Sequence, residues 1–477
     1  MRGYRGIRGG VVLFLIAISH MGCSGGGEDG AESQAGGSSA LGSLVTGLRL
    51  IEGNFELSGI TTDDVVAVLD PKLGALAVPV NGDAVQQIDA TSDQVAVAGP
   101  VIYSLHGVDP TSTFGDLTIW TSAHGLVPFA TGAATWPLAV SDDGEYILAT
   151  AQTSSDGAQT NLVVGGTDGT APAVLFPIGL RVDCPPAIEF TAGRFVVAAC
   201  APGVSEASVS AIDPSDGAVT PLLAPAQSRI TRIPAASAVA LLDTAGTAYL
   251  ADVAGGPPRM IGQQVTAIVP SPGGSAVFLQ QMGTISVVPL TGEVGTVLSP
   301  EGVVGLLGAS PDGQHLLFQT KQAVHPGFGG LWVTPTELAG YVHRLSNEDD
   351  TTVSGSPFTS DSQWALWLAD HDAYGAGELM AAPASGGAAS FLGAGAWNVS
   401  AAVGARIIYT DGYTVAPGRS GRALLRAADL SARAAGTMLL ATDVDPHFYL
   451  TRAHDQVAFS FDDGTERSGI YVTAVPR

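Results

Sequence analysis

Charged side chains are scarce: Asp, Glu, Lys and Arg make up only 13% of 477 residues. Long solvated helices need Glu, Lys and Arg along their outer faces, so a mainly helical chain is excluded. Basic residues are scarcest, with 20 Lys and Arg against 44 Asp and Glu, a net charge of −24. Such a surface repels phosphate backbones and anionic head groups, which excludes nucleic acid as a partner. Catalytic signatures are missing too. There is no G-x-S-x-G elbow, no H-E-x-x-H, no P-loop and no G-x-G-x-x-G after a strand. The nine histidines are scattered, with no pair at metal-ligand spacing on one element. Neither a metal nor a cofactor is expected.

What the chain has is 46% apolar residues, 62 Gly and 29 Pro, a composition suited to many short strands and tight turns. The stretch SPDGQHLLF (310–318) joins a turn cue to an apolar run. Relatives of it recur as TTDDVVAVL (61–69), TSDQVAVAG (91–99), SDDGEYILA (141–149), TAGRFVVAA (191–199), PAASAVALL (234–242), SPGGSAVFL (271–279) and SDSQWALWL (360–368). Weaker copies are AVGARIIYT (402–410) and AHDQVAFSF (453–461). From 141 to 360 the starts lie 50, 43, 37, 39 and 50 residues apart. A period of 40–50 residues marks an array of β-blades. A second hairpin follows most cues, as in TISVVPLTGEVGTVL (284–298) and GLWVTPTELAGYVHRL (330–345). Each unit therefore reads as four antiparallel strands, one propeller blade. Asp312 and Gly313 turn the chain: glycine tolerates positive φ, and aspartate bonds its own backbone. The almost wholly apolar middle strands, such as Phe195 to Ala199, suit strands buried on both faces.

The fold expected is all-β, a single propeller with eight blades favoured and seven to ten allowed; two smaller propellers are the alternative. Ten cues exceed the usual range of about 4–8 blades, and the first two cues start only 30 residues apart. After HDQVAFSFDDGTERSGIYVTAVPR the last blade is one strand short, so TGLRLIEGNFELSG (46–59) is expected to supply the outer strand and close the ring.

The cue followed by its hairpin resembles the TolB-type β-propeller repeat of bacterial envelope proteins. The match is best at 310–318, with 141–149 and 271–279 next. It covers most of residues 60–477 as short repeated motifs. That resemblance implies protein–protein contacts near the outer membrane.

The N-terminus carries Arg2, Arg5 and Arg8 before an apolar run, Val11 to Ile18, too short to span a bilayer and patterned as an export signal. His20-Met21-Gly22-Cys23 resembles the lipobox of bacterial lipoproteins, with His20 where that family usually has leucine. In that family the small residue before the cysteine permits cleavage and the thiol receives a diacylglycerol. The resemblance implies lipidation at Cys23. Removing residues 1–22 takes the chain to −27, with 17 basic against 44 acidic residues. Residues 23–45 then form a flexible polar tether, and 46–477 the propeller. The competing reading is an ordinary cleaved signal with an incidental cysteine.

With Cys23 set aside, Cys184 and Cys200 remain, flanking a segment that reads as strand, turn, strand. In an oxidising compartment they are expected to pair, closing a loop of about 15 residues; two unpaired buried thiols are the alternative.

Function is expected in the long second-to-third-strand loops, 151–161, 320–330, 369–378 and 410–422, which gather on one propeller face. Candidate binding residues there are His325, Phe328, Asp370, His371, Asp372, Tyr374 and Tyr413. The plain alternative for Asp370-His371-Asp372 is solvated loop polarity. The acidic run Asn347 to Asp350 lacks the spacing of a calcium loop. The reading reached is a non-enzymatic, lipid-anchored binding or scaffolding module, monomeric, at the outer membrane, touching the membrane only through its lipid. The partner expected is an unidentified envelope protein. The alternatives are a propeller lyase or glycosidase with a pocket at the central channel, and a purely structural surface protein. Few Arg, His or Tyr lie where strands enter the channel mouth, which favours binding.

Overall fold

In the computed structural model, Ser310 shows why the turn cue recurs. Its hydroxyl bonds the Asp312 carboxylate and accepts the His315 N–H at 2.9 Å, while Asp312 accepts the Gln314 N–H at 3.0 Å. Ser141 with Asp143, and Thr359 with Asp361, repeat the arrangement. The fourth residue of each turn is left-handed: Gly144, Gly274 and Gly313, but also Asp64, Ser362 and His454. The Ser or Thr that opens the turn is buried and satisfies the start of the next strand, so the cue needs its hydroxyl as much as its Asp-Gly.

The structure describes residues 44–476, without 54, 109–113, 153–159, 180–183, 185, 228, 235, 293–295, 299–301, 322–329, 338–342, 347–350, 354, 373–374, 415–421 and 432–435. Among the described residues there is no helix, and the strands form ten four-stranded antiparallel units. The chain is a β-propeller. Blade 1 comprises Glu56–Ile60, Val65–Asp70, Gly74–Pro79 and Gln86–Asp89. Blade 4 comprises Ala187–Thr191, Arg194–Cys200, Ala207–Ile212 and Val219–Ala226. Blades 5, 6 and 7 open with Ile230–Arg232, Val265–Pro270 and Val303–Ala309, and blade 8 with Thr351–Thr352. Two blade pairs share a continuous strand. Gly125–Val140 is the outer strand of blade 2 and then the inner strand of blade 3; Gly436–Leu450 does the same for blades 9 and 10.

Blade number is corrected from the favoured eight to ten. The cue at 91–99 lies on the inner strand Ser92–Ala98 of blade 2, and that blade turns at Gly99-Pro100 instead. The short spacing of the first two cues was thus a change of register. Both mark complete blades. Compact turns let blade 1 fit all its strands between residues 56 and 89.

Alternate residues on a strand face opposite neighbours, which accounts for the continuous apolar runs. In blade 1, Val65 and Ala67 pack toward blade 2, whereas Val66 and Val68 pack against Ala458, Ile470 and Val472 of blade 10. In blade 7, Leu316 and Phe318 join Phe278 and Ile285 of blade 6, whereas Leu317 joins Ala365 and Trp367 of blade 8. Equivalent apolar clusters lie between every successive pair of blades, and that of blades 10 and 1 completes the ring.

Closure uses the expected N-terminal strand. Leu48–Glu52 pairs antiparallel with Gly469–Ala474, Leu48 opposite Val472 and Glu52 opposite Gly469. The rest of 46–59 goes elsewhere than expected: Glu56–Ile60 is the inner strand of blade 1.

Candidate functional site

Inner strands run away from the face that holds the second-to-third-strand loops and the crossings between blades, here the loop face. The opposite, turn face holds the cue turns. Glu56, Trp397, Tyr413 and His447 come from loop-face ends of different strands: Glu56 opens blade 1, Trp397 lies in the crossing from blade 8 to 9, Tyr413 ends the second strand of blade 9, and His447 lies in the passage from blade 9 to 10.

The rings form a chain. Tyr413 and Trp397 have centroids 4.9 Å apart and planes inclined by 31°; Trp397 and His447 are 5.1 Å apart at 62°. His447 Nδ1 lies 2.9 Å from Asp445 Oδ1, and its backbone N–H donates to the same oxygen at 3.0 Å. The hydrogen bond with Asp445 raises the imidazole pKa above its ordinary value; burial works against this, and the charges of Asp445 and Glu56 reinforce it. Burial raises the pKa of nearby Tyr449, as do the charges of Asp445 and Glu56. His447 remains 59% exposed.

Of the residues expected to act, Tyr413 belongs to this chain. Asp370, His371 and Asp372 lie in the loop of blade 8 beside it: a Cβ on Gly375 of that loop would stand 3.8 Å from Trp397 Nε1. Asp372 is occupied locally, accepting the Ala376 N–H at 3.0 Å, and Asp370 is exposed with φ 48°. His325, Phe328, Tyr374, Cys23 and the run 347–350 lie outside the described residues. Trp397, His447, Asp445 and Glu56 were missed, because crossings between blades carry no repeated cue. The one available signal was an aromatic or histidine just before an inner strand.

Two further groups stand on the loop face. Cys184 and Cys200 are joined, with Cα atoms 6.2 Å apart, tying the crossing from blade 3 to the end of the second strand of blade 4. His106 Nδ1 lies 3.0 Å from Asp89 Oδ2 and its Nε2 3.8 Å from Asp116. Burial would raise the Asp89 pKa, but bonds from Thr91 and Ser104 and the charge of His106 together lower it. Ser104 is fully buried and donates to Asp89 at 3.1 Å, so the Ser-His-Asp set staples blades 1 and 2 and has no exposed nucleophile. No cluster of three metal-ligating side chains occurs among the described residues.

No family model and no curated protein sequence matches the chain. Solved structures similar to it include TolB from Acinetobacter baumannii, 16% identical over 61% of this chain and 76% of that one, with a TM-score of 0.28. A eukaryotic initiation factor is 12% identical over 73% of this chain and 90% of that one, TM-score 0.47. The tricorn protease is 11% identical over 88% of this chain, TM-score 0.28; the chain spans about half, 52%, of its length. These likenesses are of fold. The class itself is set by the chain's own four-stranded blades, those of a β-propeller.

Proposed function

We propose that the protein is an acyl-anchored, TolB-like propeller of the bacterial envelope, serving as a non-enzymatic protein-binding or scaffolding module. The observation that carries this is the aromatic chain of the loop face. Tyr413, Trp397 and His447 meet on the face that carries the unequal second-to-third-strand loops, where a propeller's binding surfaces are built. The Tyr413–Trp397–His447 surface is the part of the ring that meets the partner. Aromatic rings backed by a polar rim are the usual centre of a protein interface. The acidic surface supports a partner other than nucleic acid.

Two measurements test the reading. Palmitate labelling should be lost in Cys23→Ser, together with membrane association; labelling that persists in the variant overturns the anchor. A photo-reactive residue at Tyr413, activated in intact envelopes, should trap one discrete protein that a probe at turn-face Asp216 does not. Equal trapping at both positions overturns the loop face as the binding surface.

A further inference from the structure

We propose that the loop-face surface of Tyr413, Trp397, His447 and Glu56 receives an arginine-bearing segment of a protein partner. This names the partner chemistry for the binding-module reading above and rests on it. Four arginines at the seam of blades 9, 10 and 1 are already engaged: Arg49 with Glu52, Arg422 with Asp462, Arg426 with Asp411 and Arg467 with Asp463. Among the described residues no Lys or Arg pairs with exposed Glu56 or with Asp445, whose one ion-pair partner is His447. The surface thus offers aromatic faces and carboxylates together, on a chain of net charge −24.

That pairing selects the occupant. An anionic segment meets the repulsion of the whole chain. A neutral apolar segment leaves two carboxylates to be desolvated without a partner. A guanidinium stacks flat on an aromatic ring and takes a carboxylate through its fork, and it is more weakly hydrated than an ammonium. Tyr413 supplies a ring at one end of the chain, and Glu56 with Asp445 supplies acceptors at the other. Arginine is therefore favoured over lysine. The four groups come from four separate segments, three strands and one crossing, so a short extended segment, rather than a single side chain, fits the run.

The test is anisotropy of a fluorescein-labelled, end-blocked hexa-arginine peptide titrated with the full-length protein, with hexa-lysine and hexa-glutamate peptides alongside. Hexa-arginine should bind most tightly and hexa-glutamate not at all. Tyr413→Ala and Glu56→Gln, each checked for unchanged thermal unfolding, should weaken hexa-arginine by about tenfold. The turn-face variants Asp83→Asn and Asp216→Asn should leave it unchanged. Equal weakening by turn-face variants would show diffuse attraction to net charge and overturn the proposal, as would absence of hexa-arginine binding. A partner trapped at Tyr413 through a segment free of arginine also overturns it while leaving the module reading intact.

Discussion

Blades 4 and 10 share one four-strand plan but are closed by different means. Blade 4 is continuous in sequence from Ala187 to Ala226, and the Cys184–Cys200 bridge pins its loop-face end to the crossing before it. Blade 10 is assembled from the two ends of the described chain: three strands lie between residues 448 and 474, and the outer one is Leu48–Glu52. Blade 4 is thus stabilised locally and covalently, whereas blade 10 depends on a contact between residues about 420 positions apart. A ring closed this way shares its weakest link with its sequence ends, so damage at the seam should spread to both neighbouring interfaces.

The largest effect should come from removing the closing strand. Deleting residues 46–52 exposes the edge of Gly469–Ala474 and strips Leu50 and Ile51 from the cluster of Ala458, Ile470 and Val472. The expected loss exceeds about 4 kcal/mol, with aggregation through the bared edge. Urea unfolding and size-exclusion chromatography read it. A monomer with unchanged midpoint would mean the seam is held by something other than this strand. Gly469→Ala is the milder version. Its Cβ would lie 2.2 Å from the Ile51 carbonyl oxygen, so the strands must part at a cost of about 1–3 kcal/mol.

Blade 4 should respond next. Replacing both Cys184 and Cys200 with Ser should cost about 3 kcal/mol, by opening a loop of sequence separation 16 in the unfolded chain. Reductant should lower the urea midpoint of the native protein and leave the double variant unmoved. If reductant shifts both alike, the bridge contributes nothing.

Turn chemistry separates the blades more finely. In blade 10, Thr451 Oγ1 accepts the Gln456 N–H at 3.2 Å and donates to Asp455 at 3.1 Å. Thr451→Val leaves both without that partner and should cost about 1–2 kcal/mol. Blade 4 turns instead on Ala192, held at φ 49°, where a Cβ is strained. Ala192→Gly should therefore stabilise, by at most about 1 kcal/mol after its own entropy cost. Urea midpoints moving in opposite directions would sharpen the contrast; movement in the same direction would abolish it.

These turns also show what was legible from sequence. The Ser/Thr hydroxyl and left-handed fourth residue leave a mark wherever glycine fills that position, as in SPDG at 310–313 and SDDG at 141–144. Where Asp64, Ser362 or His454 fills it, the geometry is unchanged but the letters blur. In blade 2, Gly99-Pro100 replaces the motif altogether. Strand plan and closure were therefore readable, and blade number was obscured by one shifted cue. The site was less legible for a related reason. Tyr413 was found because loop length flags a second-to-third-strand connection. Trp397 and His447 lie in crossings whose spacing varies from blade to blade, and their meeting depends on ring curvature.

The smallest effect concerns His447, which links the seam to the binding surface. Its pKa is raised in the folded protein, chiefly by the hydrogen bond with Asp445. Such a group stabilises the fold fully below its unfolded value of about 6.5, and the contribution disappears as pH rises through the folded value. Because the ring is 59% exposed, solvent screens the interaction and the effect on unfolding should be slight. NMR titration of the imidazole should give a midpoint above the model-peptide value in the native protein and a lower one in Asp445→Asn. The stability difference between native protein and His447→Gln should be largest in acid and vanish toward alkaline pH. The same titration bears on ligand binding, since the imidazolium competes with an incoming guanidinium for Asp445 and Glu56. Hexa-arginine should bind more tightly as pH rises through the His447 midpoint, and His447→Gln should flatten that slope. A slope that survives in His447→Gln would assign the pH dependence to other groups and detach this histidine from the surface it adjoins.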